Sequence, residues 1–132
     1  MALNVEIVTP ERRVLQTTCD EVRAPGVLGG FGIRPGHASF MSALEPGRLT
    51  LVSGGREEQY AVGGGFLQVD RDRVIILADT AEARDEIDVA AAQRDLAEAT
   101  ERLRNLTEQD ATHPIESARV RRAAARLSVA GK

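Results

Sequence analysis

Residues 74–106 read VIILADTAEARDEIDVAAAQRDLAEATERLRNL, and the change of rhythm inside this stretch decides the fold. Its start, Val74-Ile75-Ile76-Leu77, is a short apolar run of β-branched character, which is how a buried strand reads. Past Asp79-Thr80 the rhythm changes. Val89, Ala92, Leu96, Ala99, Leu103 and Leu106 recur at steps of three and four, the narrow seam of a helix that faces one partner. Asp85 and Asp88 offer N-capping oxygens between the two rhythms, where a helix N-terminus favours negative charge. The chain therefore divides into a strand-rich part, 1–84, and a helical part, 85–132.

Upstream of this stretch everything reads as strand and turn. Leu3, Val5 and Ile7 alternate with Asn4 and Glu6 up to Thr9-Pro10. Val14-Leu15 and Glu21–Ala24 make further extended segments before Pro25-Gly26. Gly47–Ser53 and Glu57–Val62 flank Gly54-Gly55, the signature of a hairpin. Phe66 and Val69 follow the triple glycine 63–65. Short strands with turn signals at this spacing predict a sandwich or barrel.

Downstream, Gln109–His113 is polar, and Pro114 suits the first turn of a new helix. That second helix is expected to show Ile115, Val120, Ala124 and Leu127 on one side, with Ala123 and Ala125 flanking them. A connection this short makes the helices antiparallel neighbours. Residues 85–110 set three arginines against eight acids, a net −5, whereas 115–132 set five basic residues against Glu116, a net +4. The opposite signs favour closure of the hairpin, although an exposed pair contributes only about 0–1 kcal/mol. Alanine fills much of the seam, so the hairpin is expected to be the part most ready to open.

Composition excludes several classes of function. The 132 residues are 42% hydrophobic and 28% charged with net charge −3, as in an ordinary globular protein and unlike a nucleic-acid binder. One Tyr, three Phe and no Trp leave little to stack on bases. No apolar run approaches the roughly 20 residues a bilayer demands. The start Met-Ala-Leu-Asn-Val-Glu has neither a basic nor an apolar leader region, which predicts a cytoplasm-like compartment. Cys19 is the sole cysteine, so it reads as a small core residue and an internal disulfide is impossible.

No catalytic constellation emerges. Residues 26–38 are dense in glycine, but Pro35 stands where a dinucleotide loop needs its third glycine. Gly63-Gly64-Gly65 has no Lys-Ser/Thr after it and is no phosphate loop. His37 and His113 have no metal-ligand spacing. Both glycine clusters read as bulges and tight turns of a curved sheet.

Those glycines carry a resemblance. Gly29-Gly30-Phe31-Gly32-Ile33-Arg34-Pro35-Gly36-His37-Ala38 resembles the hallmark loop of ATP synthase epsilon subunits. The likeness continues through Leu44-Glu45-Pro46-Gly47, Gly64–Val69 and Val74–Ala81, in the family's order and spacing, and so covers essentially the whole chain. It implies a flattened sandwich of about ten strands followed by an antiparallel helical hairpin. It also implies a non-catalytic rotor subunit in the central stalk, peripheral on the cytoplasmic face of the bacterial plasma membrane, with no insertion into the bilayer.

The resemblance also names partners and sites. The gamma subunit and the c-ring are the implied partners of the sandwich, with Gly32, Arg34, Pro35, Gly36 and His37 as interface candidates. The family's usual acid is Gly30 here, so a charge contact to the ring is either missing or supplied by Arg34. The hairpin is implied to extend toward the alpha and beta subunits and block ATP hydrolysis, with Arg119, Arg121, Arg122 and Arg126 suited to an acidic segment of beta. Some relatives bind ATP at the folded hairpin, which makes Glu82, Ile87, Asp88, Arg122 and Arg126 candidates for a weak ATP site. Ala91 stands where that motif has arginine, so nucleotide affinity is expected to be low and no other cofactor is implied. An ATP-sensing module and an unrelated sandwich-plus-hairpin adaptor remain the alternatives.

Overall fold

The computed structural model describes residues 2–131. Eight strands come first: β1 (Leu3–Val8), β2 (Arg13–Cys19), β3 (Glu21–Gly26), β4 (Gly29–Ile33), β5 (Phe40–Ser53), β6 (Arg56–Asp70), β7 (Arg73–Ala78) and β8 (Ala81–Ala83). A short 3₁₀ turn at Arg84–Glu86 leads to helices α1 (Val89–Arg104) and α2 (His113–Ala130).

The strands form one continuous ladder in the order β2-β1-β7-β6-β5-β3-β4, with β8 paired to β6. All pairs are antiparallel except β1 with β7. The ladder becomes a two-layered sandwich because β5 and β6 are long and bend together. Their register is constant, but the ladder is interrupted at Glu45 and Gly64, between Leu44↔Gly65 and Pro46↔Gly63. Gly65 makes that bend possible: its φ is 136°, and a Cβ there would run into the backbone carbonyl of Leu77. The N-terminal half of β5 and the C-terminal half of β6 pair alongside β7 and β1, whereas the other halves pair with β3 and β8.

This bend corrects the expected strand count. What reads as separate short segments on either side of the triple glycine is one strand of 15 residues, and β5 likewise runs 14 residues through Pro46 and Gly47. The described residues form eight strands, where the resemblance implies about ten. The stretch Gly29–Ile33, which reads as turn, is strand β4.

The inner faces carry the core. Leu3, Val5 and Ile7 of β1 alternate as the period-two pattern predicts, and Val5 and Ile7 pair with Val74 and Ile76. Val22, Ile33, Leu49, Leu51, Val62, Leu67 and Val69 belong to the same buried cluster, together with Cys19. Burying one such aliphatic side chain is worth about 1.5–3 kcal/mol, so the sandwich holds most of the stability.

The hairpin is built differently. Asp88 caps α1, its Oδ1 accepting from Ala91 N at 3.0 Å, and Pro114 lies in the first turn of α2. α1 buries only Ala92 and Ala99, and α2 only Ala123, Ala125 and Val129. The expected face of α2 is thus rotated: Ile115 and Ala124 are exposed, while Val120 and Leu127 are half-buried. The reason is that α2 must meet two surfaces, α1 and the β5/β6 bend. Close approach to both surfaces is favoured by small residues at the contact.

Candidate functional site

Three surfaces carry chemistry. The first is the loop between β4 and β5. His37 N donates to Arg34 O at 3.2 Å, which closes a turn around Pro35-Gly36, and Gly36 has φ 86°. Gly32, by contrast, lies in β4 without a positive φ. The His37 ring sits against Phe40, centroids 5.5 Å apart, and Phe40 meets Phe31 edge-on at 5.3 Å. This aromatic trio underlies the loop. His37 Nδ1 lies 2.7 Å from Ala38 O, which places a proton on Nδ1 and leaves Nε2 as the acceptor in the neutral ring. Arg34 is largely exposed and reaches Glu21 Oε1 at 3.7 Å. Gly32, Arg34, Pro35, Gly36 and His37 therefore share one end of the sandwich.

The second surface was not legible as a site from motifs. On the outward face of the layer containing β7, the cross-strand row Ala43–Phe66–Leu77–Val8 is apolar from β5 to β1. Phe66 and Leu77 are each more than half exposed, and Met41 lies two residues along on the same face of β5. Val27 and Leu28, at the β3–β4 turn, extend this band, since Val27 N donates to Ala43 O. The sequence signal was present: Phe66 and Leu77 are out of phase with the buried Leu67 and Ile76. A contiguous exposed apolar row of this kind is a candidate contact surface.

The third is a cleft of about 500 Å³ between α2 and the sandwich edge. Four arginines (Arg12, Arg119, Arg122 and Arg126) line it with five carboxylates (Glu11, Asp79, Glu82, Glu86 and Asp95). Arg126 Nε lies 2.7 Å from Glu82 Oε1, and its Nη1 lies 4.0 Å from Asp95. Arg119 reaches Asp95 at 3.5 Å, Glu98 at 3.6 Å and Glu116 at 3.1 Å. Arg12 pairs with Glu86 at 2.8 Å, and Glu86 Oε1 accepts from Ala83 N at 2.9 Å. That backbone hydrogen bond, aided by Arg12, holds the Glu86 carboxyl below the ordinary glutamate range. Arg122 makes no ion pair among the described residues; its side chain lies over Gly63. Arg121 faces Glu45 at 3.5 Å, beside the bend.

Of the five residues singled out for nucleotide, Glu82, Arg122 and Arg126 line the cleft, whereas Ile87 and Asp88 do not. Asp88 is occupied in capping α1, and Ala91 supplies the amide it caps.

Residues 2–84 match the family described as ATP synthase, Delta/Epsilon chain, beta-sandwich domain, and residues 85–131 match its long alpha-helix domain. The chain belongs to the ATP synthase delta/epsilon chain family. The ATP synthase epsilon chain of Anaeromyxobacter sp. (strain Fw109-5) is 67% identical over 132 residues, the full length of both chains. That of Myxococcus xanthus (strain DK1622) is 52% identical across 97% of this chain and 94% of its own. Among solved structures, a chain of the Euglena gracilis mitochondrial ATP synthase (OSCP/F1/c-ring, rotational state 1) shares the fold with TM-score 0.81. It is 22% identical and covers 99% of this chain and 82% of that one. Membership of the delta/epsilon family makes this a non-catalytic subunit of the synthase, so its surfaces act by contact and not by bond-making. No helix among the described residues is long and apolar enough to cross a membrane.

Proposed function

We propose that this chain couples the gamma subunit to the c-ring in the central stalk, and that its helical hairpin restrains ATP hydrolysis when it leaves the sandwich. The observation that carries the proposal is the contrast in burial. The sandwich is sealed by large aliphatic side chains, whereas the hairpin buries only four alanines and one valine, and reaches the sandwich through an exposed Arg121–Glu45 pair and a part-buried Arg126–Glu82 pair. Such a contact is releasable without loss of the fold, because alanine contributes little apolar area and an exposed pair about 0–1 kcal/mol.

The remaining surfaces take roles consistent with this. The 34–39 loop is assigned to the c-ring, and the apolar band through Phe66 and Leu77 to gamma, on the cytoplasmic face of the bacterial plasma membrane. Arg119, Arg121, Arg122 and Arg126, freed on opening, meet an acidic segment of beta. The ring assignment is tested by Gly36→Val in the assembled synthase, since a β-branched residue resists the left-handed backbone at this position. ATP-driven proton pumping should fall while hydrolysis and the isolated chain's fold persist. Full pumping would overturn the assignment.

The cleft favours a second reading, a nucleotide sensor, because it gathers Glu82, Arg122 and Arg126. Its electrostatics oppose tight binding: acids outnumber arginines on the walls, and Arg126 is already engaged by Glu82. With Ala91 unable to offer a guanidinium fork, ATP should bind no tighter than about millimolar, roughly −4 kcal/mol. Calorimetry decides this; a micromolar Kd would refute it, and Ala91→Arg should tighten whatever binding exists.

A further inference from the structure

The loop assigned to the c-ring is fastened from outside itself. The fastening comes from the β6–β7 hairpin, from Asp70 at the end of β6 and Asp72 in the two-residue turn that follows. Gly36 N donates to Asp72 Oδ1 at 2.7 Å, a short bond to a charged acceptor. Ser39 Oγ donates to Asp70 Oδ1 at 3.1 Å. The two bonds grip the loop on either side of His37. The turn is itself unusual in composition: Arg71 and Asp72 have φ of 52° and 63°, left-handed values that glycine or asparagine ordinarily supply. Asp72 O also accepts from Asn4 N at 2.8 Å, which ties the turn to the start of β1.

A hairpin turn chosen only for closing β6 on β7 has no need of carboxylates, and Asn-Gly closes such a turn with less strain. Here both acids spend an oxygen on the neighbouring loop. We infer that Asp72, seconded by Asp70, is a positioning residue for coupling: it fixes the height and orientation of the 34–39 loop so that torque passes between sandwich and ring without slack. This rests on the ring-facing reading of that loop. A loop closed only by the His37–Arg34 turn would shift under load, because a single hydrogen bond in solvent is worth about 1 kcal/mol.

The test compares two substitutions. Asp72→Gly keeps the left-handed backbone and removes the acceptor; Asp72→Asn keeps both the backbone preference and the Oδ1 acceptor. In the isolated chain, Asp72→Gly should speed amide exchange at Gly36 about tenfold, as expected for loss of one hydrogen bond to a charged group, and Asp72→Asn should largely restore it. In assembled synthase, Asp72→Gly should lower protons pumped per ATP hydrolysed, with Asp72→Asn near the parent value. A role confined to sheet stability would lower assembly and leave that ratio unchanged. If Gly36→Val uncouples but Asp72→Gly does not, the positioning role is wrong and the ring-facing loop stands. If neither uncouples, the ring-facing reading itself fails.

Discussion

Gly65 shows how much one residue decides here. It sits at φ 136° with the Leu77 carbonyl where a side chain would be, at the point where β5 and β6 pass from one layer to the other. Gly65→Ala should destabilise the sandwich by about 2–4 kcal/mol, combining left-handed strain with a backbone clash. Thermal unfolding checks this; a Tm within a degree or two of the parent would contradict it. Glu86 makes a second residue-scale prediction. Its folded pKa is depressed, so what it adds to stability is present above the unfolded value and lost as pH falls through the folded one. The Ala83 amide resonance should therefore titrate with a midpoint below the ordinary glutamate range, whereas a midpoint at or above that range would show the bond to be absent. Residue roles were only partly readable beforehand. Asp88 as a cap and Cys19 as a core residue follow from local pattern, but the Asp72–Gly36 and Arg126–Glu82 pairs join positions 36 and 44 residues apart, which no spacing rule brings together.

At the scale of elements, the sandwich and the hairpin stand on different physics. Period-two alternation in β1 and the three-four seam in α1 were legible because each element packs chiefly against one surface. The face of α2 was not, because it answers to both α1 and the β5/β6 bend, and the segments read on either side of Gly63–Gly65 are one strand because the glycines there bend it without ending it. The hairpin should open before the sandwich unfolds. Amides of α2 should show protection about 100-fold lower than those of Leu67–Val69, as expected for sub-global opening. Equal protection would mean that the two parts unfold as one. Charge separates docking from release in the same element. Arg126→Glu would break the Glu82 and Asp95 pairs and open the hairpin. Arg122 has no such pair among the described residues, so Arg122→Glu should weaken the proposed inhibitory contact by about fivefold or more with the hairpin still closing normally. Hydrolysis assays paired with a distance probe between α2 and β5 distinguish the two.

For the whole molecule, the proposed function divides the labour: the sandwich transmits rotation, and the helices, held by alanines and by part-buried and exposed arginine pairs, act as a releasable brake. Each half has its own domain match within the family, and among the described residues the 34–39 end of the sandwich carries none of the hairpin's ion pairs. The most direct measurement is the ATP hydrolysis rate of assembled synthase carrying either the full chain or one ending at Ile87, which retains Glu86 and its bond to Ala83. The shortened chain should assemble, still support proton pumping, and raise hydrolysis about fivefold or more, the scale of an allosteric coupling. Equal hydrolysis rates for the two enzymes at all nucleotide concentrations and membrane potentials would contradict it, and the helices would then be structural alone.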